Sequence, residues 1–263
     1  MNLLVAVKSC EYDRQRGAHQ LVRDIWGKDT GVNLKFFIGE GGQPSEKDEI
    51  LVPAPDGYPG LPYKTREIAH YALRIGLYDY CFLCDTGSFV IPHHLLNYPI
   101  EDYDYIGYWA MLMKTFPYTA QDTDRGCPPV YIERCHPWAS GGGYVLSRRA
   151  LLYVANAEPD VHAEDLWVGQ VLGRQGIKLH DAAQEGWKGF VADWIHLENN
   201  MTPNSLALRR LWMEDKKRNA ERRCSTGCYG PAWKPPVIEL MDPEVPNEVE
   251  QILAARRAAR RKK

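Results

Sequence analysis

Short apolar segments without helical spacing alternate with amphipathic helical segments up to residue 182, and no other feature of the chain constrains its fold as strongly. The apolar segments predict strands, at 2–9, 33–41, 79–84, 103–109, 141–147 and 177–182. Helical spacing lies between or after them, at 19–26, 64–76, 148–157 and 163–176. This alternation predicts an α/β fold, in which helices flank a mixed, mainly parallel sheet.

The alternation fades after Asp193. Residues 202–223 have the pattern of one more helix, with Thr202 as its N-cap and Pro203 at its first position. The apolar stripe of that helix ends at Trp212, so we expect its second half to be solvated or bound to a partner. We therefore predict a main domain over 1–200 and a helical C-terminal extension over 201–263 that ends in a basic tail.

The strand predicted at 79–84 is apolar throughout and is followed directly by Asp85 and the sequence Thr-Gly-Ser. Ligands of α/β sheets bind at the carboxyl ends of the strands. The sequence therefore predicts that Asp85 lies at the lip of a binding cleft.

The chain has seven cysteines, which would be thiols in a cytosolic protein. Cys81 and Cys84 form a C-x-x-C pair inside the apolar strand, and we interpret them as core residues rather than as a redox site. The other spacings leave three alternatives open, namely a zinc knot, unrelated thiols, or disulfides in a secreted protein; they concern Cys127, Cys135, Cys224 and Cys228.

The N-terminal segment has five apolar residues before Lys8, too few for the hydrophobic region of a secretory signal. No apolar run approaches the length of a membrane span. We therefore expect a soluble, cytoplasmic protein that does not associate with membranes.

Several stretches, in chain order, resemble the motifs of one enzyme group; they are "HQLVRDIWGKD", "GLPYKT", "FLCDTGSFV", "HPWASGGGYVLS" and "HAEDLWVGQVL". They look like the R-x-x-W helix, the L-x-x-K-T segment, the Asp-x-Asp strand, and the glycine-tyrosine strand with its Glu-Asp pair. The group is the β-1,3-galactosyltransferase and Fringe-like glycosyltransferases. "WIHLENN" resembles the His-x-x-Leu-Glu region near the end of Fringe proteins, so the resemblance covers about residues 1–200.

The resemblance implies a GT-A fold, a UDP-sugar donor and transfer with inversion, with 1–200 as the catalytic domain. It implies that Asp165 is the catalytic base, which takes the proton of the acceptor hydroxyl. The implied donor-binding residues, of which the two cations would neutralise the diphosphate, are Arg23, Lys64, Asp85, Thr86 and Gly87. The implied acceptor-binding residues are Trp138, Gly141, Gly142, Gly143 and Glu164.

Each of these assignments has a structural alternative. Carboxylates at a helix start, such as Glu164 and Asp165, also stabilise the helix electrostatically. Arg23 and Lys64 would form an ordinary surface pair on two helices, and Trp138 would pack in the core. For Asp165 we favour catalysis, because the glycines before it let a backbone approach a ligand closely and burial raises a carboxyl pKa toward a useful range.

The metal site of the group is incomplete in this sequence. The group has three consecutive acids here, the last of which binds a divalent metal, whereas this chain has Asp85, Thr86 and Gly87. One alternative is Mn²⁺ or Mg²⁺ held by Asp85 and His196, with donor phosphates completing the shell. The other is that Asp85 holds hydroxyl groups of the ribose or the sugar, and that His196 is a core histidine.

Charge is distributed unevenly along the chain. The last twelve residues hold six basic groups and no acid, and residues 209–223 hold seven basic and three acidic groups. Because the whole chain carries a net charge of −2, the remainder carries −12. A basic C-terminal region on an acidic body predicts an anionic partner such as DNA, although a solvated helix and a frayed tail would have the same composition.

These observations favour a soluble glycosyltransferase that modifies 5-hydroxymethylpyrimidines in viral DNA, in a virus-infected host cell. Such an enzyme must take the base out of the stack. The first alternative is a β-1,3-type transferase that acts on a glycan or a glycoprotein. The second is a non-catalytic module that binds a sugar nucleotide or nucleic acid.

Overall fold

The computed structural model describes residues 2–28, 31–109, 118–120, 127–182 and 191–194, together with residues 213, 214 and 217. The predicted helix at 202–223 lies outside the described residues except for these last three, and the basic tail lies outside them entirely. The division into two domains therefore stays a prediction.

The described residues form eleven strands and six α-helices. The strands are β1 (Leu3–Lys8), β2 (Asn33–Ile38), β3 (Glu49–Leu51), β4 (Tyr80–Asp85), β5 (Ser88–Val90), β6 (Tyr105–Trp109), β7 (Tyr118–Ala120), β8 (Val130–Ile132), β9 (Ala139–Ser147), β10 (His180–Asp181) and β11 (Val191–Trp194). The helices are α1 (Glu11–Gln15), α2 (Ala18–Val22), α3 (Leu61–Ile75), α4 (Pro92–Asn97), α5 (Arg148–Ala155) and α6 (Glu164–Arg174).

Seven strands form one sheet, in the order β10-β6-β9-β4-β1-β2-β3. β1 is parallel to its neighbours β4 and β2, and the outer pairs β2–β3 and β6–β10 are also parallel. Among these seven strands only β9 is reversed, since it is antiparallel to both β4 and β6. Two further antiparallel ladders pair β5 with β11 and β7 with β8. The predicted α/β class with a mixed, mainly parallel sheet is confirmed.

Helices cover both faces of this sheet, because alternate side chains of each strand enter two different apolar cores. In β1, Leu4 and Ala6 join the core beneath α3, α5 and α6, whereas Val5 and Val7 join the core beneath α2 and α4. Cys81 and Cys84 of β4 are fully buried, one in each core. The interpretation of these two cysteines as core residues is therefore confirmed, and they face away from each other.

The helices differ from the sequence prediction mainly at their starts. The predicted helix at 19–26 is divided into α2 and a π-helical turn, Arg23–Gly27. α1 was not predicted, because it buries none of its residues and so has no apolar periodicity. α3 begins at Leu61, three residues before the predicted start, and ends as predicted at Gly76, whose φ of 74° favours glycine.

The parallel strands bring their carboxyl ends to one edge of the sheet. Lys8 is the last residue of β1, and its register partner is Asp85, the last residue of β4. Because β9 is reversed, its first residues, including Gly141, lie at this same edge. α6 begins with Glu164 and packs against β9. Residues from four distant parts of the sequence therefore meet at one place.

None of the helices in the described residues combines the length and the apolar character that crossing a bilayer requires.

Candidate functional site

A buried lysine lies at the centre of this edge. The ammonium of Lys8 donates a hydrogen bond to Glu164 Oε2 at 2.7 Å and lies 3.4 Å from Asp85 Oδ1. Its side chain is 1% exposed, whereas that of Asp85 is 31% exposed. Burial opposes the charge, but the carboxylates of Asp85 and Glu164 outweigh it and raise the pKa of Lys8 above its ordinary value. Lys8 is therefore held in its charged form at this edge of the sheet.

Glu164 is buried, and its carboxylate accepts hydrogen bonds from three different side chains. Besides Lys8, its carboxylate accepts hydrogen bonds from Thr65 Oγ1 of α3, at 2.6 Å, and from the hydroxyl of Tyr144 in β9. Glu164 thus ties the start of α6 to β1, α3 and β9. This geometry does not support the predicted acceptor contact for Glu164, and its donors come from other elements rather than from its own helix.

Asp165 is half-buried and has different partners from Glu164. Its Oδ2 accepts a hydrogen bond from the amide of Gly141 at 3.1 Å, and its Oδ1 accepts one from the amide of Leu166 at 2.8 Å. Loss of hydration, followed by the negative charge of Glu164, raises the pKa of Asp165 to about 6. A carboxylate with this pKa is ionised at neutral pH and still has appreciable affinity for a proton.

The glycine cluster places backbone, not side chains, beside Asp165. A Cβ added to Gly141 would lie 3.5 Å from Asp165 Oδ2, which is an ordinary contact that would occupy one side of the carboxylate. The next carbonyl, that of Gly142, accepts a hydrogen bond from Ser88 Oγ at 2.6 Å and so joins β9 to the turn after β4. Gly142 and Gly143 are buried. The structure brings the predicted glycines and Asp165 together.

Asp85, Thr86 and Gly87 form the end of β4 and a tight turn into β5. Thr86 is buried, and its hydroxyl donates a hydrogen bond to Asp13 of α1. Loss of hydration raises the pKa of Asp85, while Lys8 opposes this shift. Asp85 and Asp13 therefore both lie near this edge of the sheet, and the ammonium of Lys8 lies beside Asp85.

The described residues do not fit a divalent metal site. Hard cations take six or more oxygen ligands, several of them from carboxylates. Here Asp85 is paired with Lys8, the Thr86 hydroxyl is engaged by Asp13, and Gly87 offers no side chain. Within the described ranges, no three His, Cys, Asp or Glu side chains are grouped so that they could hold a metal ion. The other predicted ligand, His196, lies outside the described residues.

The two predicted diphosphate cations have other partners. Arg23 forms hydrogen bonds with Asp48 at 2.6 and 2.9 Å and with Glu49 at 3.0 Å, beside the edge strand β3. Lys64 is fully buried, and its ammonium donates to the carbonyl of Ser9 and to Asp56 Oδ1, the latter at 3.2 Å. This geometry supports a role for Lys64 in shaping the loop after β1, and it does not support direct contact of either cation with a diphosphate.

Trp138 packs in the core rather than in an open cleft. Its exposed fraction is 6%, and it belongs to the apolar core beneath α6. A Cβ added to Gly169 of α6 would come within 2.4 Å of the Trp138 Cβ, which shows how closely the two segments approach. Trp138 therefore positions the start of β9, and its burial supports the structural alternative.

A second group of buried, hydrogen-bonded polar side chains lies near the Lys8 cluster, and the sequence did not predict it. Ser9 Oγ lies 2.6 Å from His19 Nε2, and His19 Nδ1 lies 2.7 Å from Glu49 Oε1. Burial lowers the pKa of His19. Glu49 is buried as well, but hydrogen bonds from the Ser45 amide, His19 and Arg23 lower its pKa to about 2. These hydrogen bonds fix the position of Ser9, whose carbonyl oxygen accepts a hydrogen bond from Lys64.

No protein-family model matches the chain, and no curated protein matches it. Among solved structures, one similar chain is a 4-diphosphocytidyl-2C-methyl-D-erythritol synthase, with a TM-score of 0.42, 11% identity, and coverage of 80% of this chain and 97% of that one. Another is a glycosyltransferase involved in the glycosylation of the major capsid of PBCV-1, with a TM-score of 0.44, 12% identity, and coverage of 82% and 100%. Both TM-scores are below 0.5, so neither similarity assigns a function to this chain.

The sequence predicted Asp85, Asp165 and the glycines as site residues, and it assigned no role to Lys8 or Tyr144. The signal for Lys8 was present, because a lysine at the end of an apolar strand obeys the same rule that identified Asp85. Tyr144 lies in the glycine-tyrosine motif, but a tyrosine after three glycines also has the pattern of an ordinary strand residue, so the motif gave it no role of its own. Its role depends on Glu164, which lies 20 residues further along the chain.

Proposed function

We propose that this protein is an inverting glycosyltransferase of the GT-A type, which transfers a hexose from a UDP-sugar to an acceptor hydroxyl. The observation that carries this proposal is Asp165, a half-buried carboxylate with a pKa of about 6 at the carboxyl edge of a mainly parallel sheet. A strand of small residues lies beside it, so a substrate can approach closely. The motif resemblance over 1–200 supports the same reaction.

In this mechanism Asp165 removes the proton of the acceptor hydroxyl. The acceptor oxygen forms a bond to the anomeric carbon of the sugar from the face opposite the diphosphate, the bond from that carbon to the diphosphate oxygen breaks, and UDP leaves. Each Asp165 oxygen already accepts one backbone hydrogen bond, from Gly141 or Leu166, which fixes the carboxylate plane. Each oxygen keeps a further lone pair for the acceptor hydroxyl.

The raised pKa favours an enzyme over a non-catalytic binding module. A module that only binds a sugar nucleotide has no need for a carboxylate that is destabilised by burial and by a neighbouring Glu164. Perturbed carboxylates of this kind cluster at catalytic sites. Hydrolysis of the donor in the absence of an acceptor separates the two functions, because only the enzyme releases UDP.

For the acceptor we propose 5-hydroxymethylpyrimidine in DNA. The support is the charge distribution of the sequence, in which a basic C-terminal region follows an acidic body. Clustered lysines and arginines bind phosphate backbones through counterion release. The alternative is a glycan or glycoprotein acceptor, which would make no use of those charges.

The acceptor test is a mass measurement. The protein is incubated with a panel of UDP-sugars and with either hydroxymethylated duplex DNA or a set of neutral glycans. We expect the mass of one hexose to be added to the DNA and not to unmodified DNA of the same sequence. Addition to a glycan alone would overturn the DNA acceptor and retain the transferase, whereas no addition and no UDP release with any donor would overturn both.

A further inference from the structure

Lys8 is a buried cation at the carboxyl edge of the sheet. A fully buried lysine is rare in proteins and is normally tied to a specific partner. Lys8 is the register partner of Asp85 in the adjacent strand, and its side chain also reaches Glu164 on α6. Its ammonium therefore contacts two carboxylates. The ammonium thus lies beside Asp85, the carboxylate that remains of the acid triplet and one of the two metal ligands considered from the sequence.

A divalent metal ion bound at Asp85 would have to compete with the ammonium of Lys8 for the same carboxylate. Oδ1 of Asp85 lies 3.4 Å from the Lys8 ammonium, whose other carboxylate partner is Glu164 Oε2 at 2.7 Å. A divalent ion on the other side of Asp85 would lie within a few ångströms of this fixed charge and would be repelled by it. The remaining donors of the turn are engaged too, because Thr86 donates to Asp13 and Ser88 donates to Gly142.

We propose that the Lys8 ammonium is a built-in cation that takes the place of a divalent metal at the donor end of the cleft. Asp85, neutralised from behind, then uses its exposed side to accept hydrogen bonds from hydroxyl groups of the donor. Donor binding and transfer are accordingly independent of metal ions. The statement that donor binding and transfer need no metal rests on the proposed glycosyltransferase function. The statement that Asp85 does not bind a divalent metal does not depend on that function.

Binding of Mn²⁺ alone, followed by electron paramagnetic resonance, tests the metal statement without any substrate. Wild-type protein should bind no Mn²⁺ at Asp85, so titration curves of the wild type and of Asp85→Asn should coincide. Lys8→Met keeps the length and apolar stem of lysine but removes its charge, so Asp85 and Glu164 become uncompensated. This variant should gain Mn²⁺ affinity by at least about tenfold, and Lys8→Met combined with Asp85→Asn should lose that gain.

Lys64→Met is the matched control, because it removes the other buried lysine near this edge. Its partner Asp56 still accepts hydrogen bonds from the amides of Glu11, at 2.7 Å, and Gly39, at 2.6 Å. We expect no gain in Mn²⁺ affinity for this variant. A gain equal to that of Lys8→Met would show that any buried charge deletion has the same effect, and would overturn the proposal.

The wild type decides the matter even where Lys8→Met fails to fold. Wild-type binding of Mn²⁺ that Asp85→Asn abolishes would overturn the proposal outright. For the donor, calorimetric titration with UDP-sugars in EDTA and in Mn²⁺ should give dissociation constants within about twofold of each other. Loss of donor binding in EDTA with full recovery in Mn²⁺ would contradict it. If no UDP-sugar binds under either condition, the glycosyltransferase function fails, while the Mn²⁺ titration still decides the role of Lys8.

Discussion

Replacing Asp165 by Asn should abolish transfer and at the same time stabilise the protein. Burial and Glu164 raise the pKa of Asp165 from 3.8 to about 6. An acid whose pKa is raised on folding binds its proton more tightly in the folded state, so stability is lost as the pH rises from the unfolded value through the folded one. At pH 7.5 the ionised carboxylate therefore lowers the free energy of unfolding by about 3 kcal/mol.

Asparagine removes that penalty but loses part of the hydrogen bonding. It has the shape of Asp and one carbonyl oxygen, so it can accept from the amide of Gly141 or of Leu166 but not from both as Asp165 does. The lost hydrogen bond costs about 1 kcal/mol. The net gain is about 2 kcal/mol at pH 7.5, which corresponds to a melting temperature raised by about 4–8 °C.

The pH dependence distinguishes this origin from general repacking. At pH 5.0 the folded Asp165 is largely protonated, so its penalty falls by about half and the advantage of Asn shrinks below about 1 kcal/mol. Urea unfolding at both pH values measures the two differences. Asp160→Asn is the control, because Asp160 precedes the same helix and forms an exposed pair with Arg174. A destabilised Asp165→Asn protein at pH 7.5, or a difference equal at both pH values, would refute the reasoning.

Three further predictions concern the base, the glycine strand and the tail. The kcat/KM of the wild type should fall about tenfold per pH unit below about pH 6, because Asp165 must be ionised to act as a base; a rate that stays constant down to pH 4.5 would exclude it. Gly141→Ala should lower kcat with little change in melting temperature, whereas Gly107→Ala, whose Cβ would come within 2.5 Å of Ala139 Cβ, should lower the melting temperature; thermal scans and rates on both variants check this pair. Truncation after Pro246 should reduce the steepness with which DNA binding falls with salt, since each neutralised phosphate contributes about −0.9 to the logarithmic slope; fluorescence anisotropy at several salt concentrations measures it, and an unchanged slope would contradict a role for the tail.

The strands could be predicted from the sequence because the apolar pattern that indicates a strand lies within a few consecutive residues. The apolar segment ending at Asp85 and the glycine segment before Tyr144 each formed the expected strand. The reversal of β9 was not predictable from its sequence, since hydrophobic pattern is the same in both directions. That reversal is what brings Gly141 to the same edge as Asp85.

The site was only partly predictable because its contacts join residues far apart in the chain. Asp165 was identified from a local pattern, a Glu-Asp pair at a helix start after a glycine strand. The partner of its neighbour Glu164 is Lys8, 156 residues away, and one sequence provides no measure of such a distance. Arg23 was assigned to the donor by motif, whereas its acidic partners Asp48 and Glu49 depend on the pairing of β3 with β2.

The central claim is that Asp165 is the base of a glycosyl transfer from a UDP-sugar, and the most direct test is the rate of UDP release by the wild type and by Asp165→Asn. We expect the wild type to release UDP from at least one UDP-sugar in the presence of its acceptor. The variant should bind the same donor with an unchanged dissociation constant but release UDP about a hundred- to ten-thousand-fold more slowly. Equal rates for the two proteins, or no UDP release by the wild type with any donor, would contradict the account.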